Sequence, residues 1–316
     1  FIGYLDKGAL SITNGGAVAV TGYASIIGHC SQGMVNLDGA GSTWTVNASL
    51  TLGNFDTAEL NITDGGSATI KSVVVAQESS SNGTIHVDGE ESSLTSDNAI
   101  WIGKSGKGKL NITNGGLVTS LSAWIGRNRS SDGKVIVNGP GSEWTVLGQG
   151  NTGLGIGELY VGGIYDRGIL IVTDGALVSA NYVSIGSLST VTLDVGNGST
   201  LKAGLTENNW TGTIMNEGSI HLAAGAGAVP GTYTPICYGT MEGPGIVGSF
   251  GGIWHGATHT LTVAEALKTQ GMGGATITFD LAVNQRVLIT DSLTGNSLGA
   301  GFYGEYIDAG SAQGFL

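Results

Sequence analysis

Carboxylates at a recurring turn are the residues of this sequence best suited to binding or catalysis. An Asx-Gly pair returns along the chain, and Asp38, Asp64 and Asp88 are three consecutive members. Stacked in register, these carboxylates would lie roughly 5 Å apart and repel by about 1 kcal/mol per pair in water. A Ca²⁺ ion between them is one solution, and capping of backbone N–H groups is the other. Capping is favoured, because asparagine fills the same place in other members. The predicted turn ladder comprises Asn14, Asp38, Asp64, Asp88, Asn114, Asn138 and Asp174.

No catalytic centre is predicted. Glycoside cleavage needs paired carboxylates, or carboxylates with a cation and a base, whereas the outward aspartates recur at one structural corner. His255 and His259 have the spacing of a zinc motif only if they lie on a helix. Gly256 and the alternating residues around it favour a strand instead. We therefore expect no catalytic residue, no bound metal and no cofactor.

Six of the twelve basic residues lie in a single repeat, after an Ile-Gly element or at the end of the loop that follows it. Such loops share a corner in a repeat fold, so they predict a basic stripe that binds an anionic cell-surface glycan. The alternative is that they neutralise the acidic corner of the preceding repeat, formed by Asp56, Glu59 and Glu78. The sequence favours neither. The stripe comprises Lys104, Lys107, Lys109, Arg127, Arg129 and Lys134.

Short repeats must position all of these residues. The stretch from Leu110 to Val118 returns with small changes at 10–18, 60–68 and 170–178. Two intervals are 50 residues and the third is 60, with the extra ten in the Gly-rich stretch 147–157. A weaker copy stands within each repeat, so the elementary unit is about 25 residues long. A fixed period of this length indicates a solenoid.

The pattern of residues within each unit predicts three short β-strands. Leu110 and Ile112 point one way and the polar residues between them the other, as in a strand with one face in the core. The Asx-Gly pairs supply the positive φ of tight corners. A hairpin meander would mirror this pattern across each turn, whereas here like residues recur once per unit. We therefore predict an all-β fold, a parallel β-helix (β-solenoid) of about 25-residue rungs, followed by a small β-rich carboxyl-terminal module.

Composition bears on partners and on the cysteines. Charged residues make up only 11% of the chain and the formal net charge is −12. Nucleic acid is therefore not an expected partner, because its binding depends on Lys and Arg at phosphates. No run approaches the 18 or so apolar residues of a transmembrane helix. A disulfide between Cys30 and Cys237 would need an oxidising compartment, and two separate buried thiols are favoured.

The periodic pattern ends near Leu222, which divides the chain into two predicted domains. Residues 1–222 form the parallel β-helix, and residues 223–316 form a β-rich capping or assembly module. The second part begins with an Ala- and Gly-rich linker at 223–231 and keeps β alternation, with a short helical stretch predicted at 264–268.

The repeats resemble those of the autotransporter and PEP-CTERM-associated repeat family. The shared pattern is Leu-x-Ile-Thr-Asn-Gly-Gly, then Ile-Gly, then Val-x-Val-Asp-Gly-x-Gly-Ser-x-Trp-Thr-Val, which stands here at 10–16, 27–28 and 35–46. The resemblance covers roughly residues 1–201, although Glu90, Glu91 and Leu94 depart from it in the second repeat. It implies export, display at the cell surface and no catalytic residues.

The two ends of the predicted rod are the expected assembly contacts, because each leaves unpaired backbone N–H and C=O groups. Docking of the carboxyl-terminal module or tail on the first rung of the next copy would give a filament. We expect a secreted, homo-oligomeric structural protein, namely a surface-layer, adhesin or filament subunit. The alternative is a secreted β-helix that binds or cleaves carbohydrate. The predicted contact residues are Phe1, Ile2, Tyr4, Phe302, Tyr303, Tyr306, Ile307, Phe315 and Leu316.

Overall fold

The computed structural model describes most of the chain as far as Ala223 and shorter stretches beyond it. Every regular element among the described residues is a β-strand. In this part of the chain no helix is long and apolar enough to cross a membrane. The described residues are 1–129, 131–148, 157–163, 166–194, 197–204, 212–223, 231–233, 235–238, 240–242, 248–250, 253–255, 260–263, 286–290 and 297–302.

The strands wind into a solenoid with three faces, and each turn of the chain adds one strand, or one part of a long strand, to each face. The first face is a ten-stranded sheet. In spatial order its strands are β1 (Gly8–Ile12), β4 (Gly33–Asp38), β6 (Thr57–Thr63), β8 (Asn82–Asp88), β10 (Lys107–Thr113), β12 (Asp132–Asn138), β15 (Arg167–Thr173), β18 (Thr190–Asp194), β21 (Ser219–Ala223) and β25 (Gly248–Phe250).

The second and third faces belong to one fourteen-stranded sheet. The second face contains β2 (Ala17–Val20), β5 (Thr43–Leu52), β7 (Ser67–Val75), β9 (Ser93–Ile102), β11 (Leu117–Ile125), β13 (Glu143–Val146), β16 (Leu177–Ala180), β19 (Thr200–Ala203) and β23 (Ile236–Cys237). The third face contains β3 (Ser25–Ile27), the second halves of β5, β7, β9 and β11, and then β14 (Glu158–Val161), β17 (Tyr182–Ile185), β20 (Thr213–Asn216) and β24 (Thr240–Glu242).

Pairing within these three faces is parallel, and equivalent residues of successive units lie opposite each other. Leu110 lies opposite Ile85 on one side and Val135 on the other. Aliphatic side chains therefore stack on aliphatic side chains from rung to rung. The predicted parallel β-helix with rungs of about 25 residues is confirmed, and the hairpin meander is excluded.

The core is a continuous column of apolar side chains along the rod. In β10 the side chains of Leu110 and Ile112 are fully buried, and the residues between and after them are partly exposed. Burying one such side chain contributes about 1.5–3 kcal/mol. Where a large residue enters, its neighbours in the column are smaller: the buried Trp144 lies between Val118 and Val178.

The corner between the second and third faces changes along the rod. Strands β5, β7, β9 and β11 cross it as single long strands with a shift in register, as between Ser120 and Ser122. In later rungs the two faces have separate strands. The ten extra residues enter at this corner, after β13, and positions 149–156 lie outside the described residues. Lys134 still pairs with Ile169, so the insertion adds no rung.

The parallel ladder continues beyond the boundary predicted at residue 222. Strands β23, β24 and β25 pair in parallel with β19, β20 and β21, so the solenoid reaches at least Phe250. The sequence did not indicate these strands because they lack the Asx-Gly turns.

The remaining described strands are antiparallel. One three-stranded sheet contains β22 (Gly231–Tyr233), β27 (Thr260–Val263) and β26 (Ile253–His255), and β28 (Arg286–Thr290) pairs with β29 (Ser297–Phe302). The helical stretch predicted at 264–268 lies outside the described residues, as does His259 of the proposed histidine pair.

The two cysteines differ in exposure. Both are thiols, and Cys237 is buried whereas Cys30 is exposed. The prediction of two buried thiols is therefore wrong for Cys30, because this residue lies in the loop between β3 and β4 rather than on an inward strand position.

We expect a thiol reagent at about pH 8 to label Cys30 alone in the native protein and both cysteines after denaturation. Burial raises the pKa of Cys237 to about 12, so its reactive thiolate is scarce in the folded state. Mass spectrometry after brief alkylation measures the labelling. The Cys30→Ser variant is the control and should stay unlabelled while folded; rapid native labelling of Cys237 would contradict its burial.

Candidate functional site

Two kinds of turn alternate along the rod after the strands of the first face. In one kind, the Asx residue itself adopts the left-handed conformation. These residues are Asn14, Asp64, Asn114 and Asp174, with φ of 56°, 49°, 54° and 57°. In the other kind, the Asx residue ends the strand and the glycine after it takes the positive φ. These residues are Asp38, Asp88 and Asn138.

The single ladder of turn carboxylates predicted from the sequence is therefore wrong in its register. Asp38 lies opposite Thr63, and Thr63 lies opposite Asp88. The Thr63 hydroxyl donates to Oδ1 of Asp38 over 2.6 Å, and Thr113 donates to Asp88 in the same way. A one-residue difference between the two kinds of turn places a threonine between successive carboxylates. These hydroxyls give the carboxylates of Asp38 and Asp88 a hydrogen-bond partner that is not a cation.

Buried serines tie each turn to the neighbouring rung, and the sequence reasoning missed them. Ser42 Oγ donates to the carbonyl oxygen of Asp38 over 2.7 Å and accepts the N–H of Gly15 over 3.1 Å. Ser142 makes the equivalent pair of bonds in a later rung. The signal was present in the repeat pattern, because each serine stands four residues after the Asx residue of its turn.

We expect removal of divalent metals to leave the melting temperature unchanged. Among the described residues no three His, Cys, Asp or Glu side chains form a metal-binding group, and threonine hydroxyls already donate to Asp38 and Asp88. A bound ion would add its binding energy to stability. Calorimetry with and without excess chelator measures the effect. A fall of several degrees that calcium restores would contradict this ladder of threonine hydroxyls and aspartate carboxylates, which we call the hydroxyl ladder.

The structure separates the predicted basic stripe into two groups, because three of its members belong to strands and three to loops. The first group lies on the first face and consists of Lys107, Lys109 and Lys134. The second lies in the corner that leads from the third face to the first and consists of Lys104, Arg127 and Arg129.

The corner group contacts other side chains of the protein. Lys104 Nζ donates to Oε1 of Gln77 over 3.2 Å. The Arg127 guanidinium lies 5.3 and 5.1 Å from the ring centres of Trp101 and Trp124, which stack with centres 5.6 Å apart. Tyr160 continues the stack 5.3 Å below Trp124. Because these rings cover each other's faces, we interpret the corner group as part of the structure rather than as a sugar-binding platform.

The acidic residues proposed as partners of the cations have other contacts. Glu59 Oε1 lies 4.0 Å from Nε2 of His86, and Asp56 accepts the N–H of Thr57 over 2.6 Å. In the described part of the chain, none of the lysines of the first face forms an ion pair. The neutralising role is therefore the weaker interpretation for this group.

An axial groove runs along the first face beside these lysines. Two columns of outward side chains form its walls, and two cavities of about 350 and 310 Å³ lie end to end between them. One wall runs from Thr57 through Asn82, Lys107 and Asp132 to Arg167. The other runs from Met34 through Glu59, Thr84, Lys109 and Lys134 to Ile169. We call the part towards the first rung, lined by Met34, Thr57 and Glu59, the upper half. The part from Asn82 and Thr84 to Arg167 and Ile169 is the lower half.

The predicted amino-terminal contact residues lie together at the first rung. Tyr4 stacks on His29 with ring centres 5.0 Å apart, and Phe1 lies 5.0 Å from Tyr4. Ile2 bridges to Ile27 and donates its N–H to the carbonyl oxygen of Ile26 over 2.9 Å. The other predicted contacts lie outside the described residues: Tyr303, Tyr306, Ile307, Phe315, Leu316 and the side chain of Phe302.

The fold defines the class of this protein as a parallel β-solenoid repeat protein. In comparisons with known proteins, no protein-family model, no curated protein and no solved structure matches the chain. The resemblance to the autotransporter and PEP-CTERM-associated repeats stays a prediction from the repeat pattern.

Proposed function

We propose that this chain is an extracellular structural protein, whose rod is a building block of a surface layer, adhesin or filament. The observation that supports the proposal is the edge of the first described rung (the open edge), whose strands β1 and β2 have a pairing neighbour on one side only among the described residues. In the described chain, strand β1 pairs only with β4 and β2 only with β5, whereas the outer side of β3 already carries the bridge from Ile2 to Ile27. An edge of this kind is a template for another strand.

The open edge offers backbone donors and acceptors to an incoming strand. In a parallel ladder the N–H and C=O groups of one residue point to the same side of the strand, and those of the next residue point to the other side. Gly8 donates its N–H to the carbonyl oxygen of Gln32 in the next rung over 3.0 Å, so the peptide groups of Ala9 and Ser11 face the open side. A second copy in the same orientation would satisfy them and continue the core. Because the two contacting surfaces differ, this contact is head to tail and gives a filament.

The outward side chains are consistent with a structural role without catalysis. Asp38 and Asp88 accept hydrogen bonds from threonines that hold the rungs in register. The lower half of the axial groove contains a single carboxylate, that of Asp132, whereas glycoside cleavage commonly uses two. Export to the cell surface is proposed from the resemblance of the repeats.

We expect Ser11→Pro to abolish assembly while leaving the rod folded. Proline removes the N–H that faces the open side and leaves the Gly8 bond in place, and proline is tolerated at sheet edges. Sedimentation velocity over a range of concentrations, with negative-stain electron microscopy, measures assembly, and circular dichroism measures folding. Ser11→Val keeps the N–H and is the matched control, which should assemble like the unmodified chain.

Deleting residues 301–316 tests the other side of the contact and should also prevent filaments. The proposal fails if the intact protein stays monomeric at high concentration. It fails equally if Ser11→Pro assembles as well as Ser11→Val.

A further inference from the structure

We propose that the axial groove binds a linear acidic polysaccharide, whose anionic groups lie in the lower half and whose hydroxyl groups contact the upper half. This binding does not require filament formation, because the cations of the groove lie on β10, β12 and β15, whereas the proposed assembly contact lies on β1.

The lower half concentrates positive charge on an acidic protein. Lys109 lies opposite Lys134, and Lys107 and Arg167 lie on either side of Asp132. Four of the twelve basic residues of the chain thus occupy three rungs. Two lysines in register lie roughly 4.8 Å apart and repel each other. An anion between them would replace this repulsion with attraction.

Carboxylates at other positions of the same face avoid such repulsion, which makes the lysine pair informative. Asp38 is followed by Thr63, and Glu59 is followed by Thr84. Unlike these carboxylates, Lys109 and Lys134 are in register with no ion-pair partner among the described residues. Their placement is unfavourable for the isolated rod and favourable for binding an anion.

The shape of the groove points to a polymer. Its walls run along the rod axis from the rung of Met34 to that of Ile169, five rung spacings or roughly 24 Å. Its two cavities are lined by residues of adjacent rungs and are both open to solvent, so a chain lying parallel to the axis passes the cations in turn. The upper half presents the side chains of Lys7, Gln32, Thr57 and Glu59, and Asn82 and Thr84 follow in the next rung. Amides and hydroxyls of this kind exchange hydrogen bonds with sugar hydroxyl groups.

A polysaccharide fits the groove better than nucleic acid or a membrane. Single-stranded nucleic acids are held by aromatic side chains that stack on bases, and no residue lining the groove is aromatic. An anionic membrane would contact a large part of the protein surface and would be repelled by it, since the net charge is −12. A narrow polymer contacts only the groove.

The test measures binding of defined oligomers of polygalacturonate and of dextran sulfate by calorimetry at low and at physiological salt. The two ligands distinguish carboxylate from sulfate as the preferred anion. Neutral dextran, oligo-dT and phosphatidylserine vesicles are the comparison ligands. We expect affinity to rise with oligomer length until the groove is filled and to fall with salt.

Three variants locate the site. Lys109→Gln with Lys134→Gln should weaken binding at least about tenfold, because hydrogen bonds to charged groups are the strong ones. Lys71→Gln with Lys202→Gln changes the net charge equally but away from the groove, at the corner between the second and third faces and on the second face, and should leave affinity unchanged. Asp132→Asn removes the carboxylate of the lower half and should strengthen binding about threefold, an effect that a misfolded variant would not produce.

The proposal is overturned if neither acidic polysaccharide binds, or if the two double variants lose affinity equally. Tighter binding of oligo-dT or of the vesicles would assign the groove to nucleic acid or membrane instead. A decrease in affinity on Asp132→Asn would also contradict it.

Discussion

Ile112→Asp should unfold the rungs around β10, whereas Asn111→Asp, one residue away, should be tolerated. The Ile112 side chain is fully buried and lies between Val87 and Val137 of the adjacent rungs. A carboxylate there is surrounded by aliphatic groups and has no partner, and burying such a charge costs on the order of 5 kcal/mol or more. Asn111 points outward, where its amide lies 3.3 Å from Nδ1 of His86.

Thermal melts followed by circular dichroism measure the difference. We expect the melting temperature of Ile112→Asp to fall by on the order of 10 °C or more, since about 1 kcal/mol corresponds to a few degrees in a chain of this size. Asn111→Asp should stay within about 2 °C of the unmodified protein. Equal behaviour of the two variants would contradict the inward and outward assignment of β10.

Trp144→Ala should be the most damaging truncation among the large core side chains. Trp144 is fully buried between Val118 and Val178, and its Nε1 donates to Oγ of Ser120 over 3.3 Å. Removing it leaves a cavity that the valines of the adjacent rungs are too small to fill. Truncations of this kind cost about 3–5 kcal/mol.

Two variants control for this loss. Trp144→Phe keeps most of the volume and should cost less than half as much. Trp124→Ala removes an outward ring that stacks between Trp101 and Tyr160, and we expect a loss of about 1–2 kcal/mol. Chemical denaturation followed by circular dichroism measures all three. A loss at Trp124 as large as that at Trp144 would contradict the assignment of the core.

The fold could be predicted from the sequence because the same strand-and-turn pattern recurs several times along the chain. Alternation such as Leu110, Asn111 and Ile112 defines the inward face of a strand, and the return of that pattern each 25 residues or so requires parallel stacking. The repeat pattern cannot be recognised in the sequence where the Asx-Gly turn residues are absent. For that reason the strands from β23 to β25 were missed, and so was the continuation of the solenoid past residue 222.

The turn ladder could not be predicted in detail, because its register depends on a single residue. Asp38 and Asp64 look equivalent in sequence, yet only Asp64 adopts the left-handed conformation. A shift of one position changes the rung neighbour of Asp38 from a carboxylate to the hydroxyl of Thr63. Side-chain periodicity alone does not show which of two adjacent residues turns the corner.

The structure divides the predicted basic stripe for a related reason. Sequence spacing grouped Lys104 with Lys107, but a corner of the solenoid separates the loop of the first from the strand of the second. Arg167 completes the lower half of the groove. It follows the Gly-rich insertion and therefore lies outside the repeat that contains the six residues of the predicted stripe. Only the pairing of Asp132 with Arg167 brings it to the same site.

In-register stacking of successive rungs underlies the hydroxyl ladder, the axial groove and the open edge, and distances along one column test it directly. Met34, Thr84, Lys109 and Thr190 belong to a single column of the first face. With both native cysteines replaced by serine, pairs of spin labels at Thr190 and at each of the others can be measured by double electron–electron resonance. Parallel stacking predicts separations of roughly 14, 19 and 29 Å for Lys109, Thr84 and Met34, one rung spacing of about 4.8 Å at a time. Separations more than twice as long, as consecutive hairpins would give, or separations that do not follow the rung count, would contradict the solenoid.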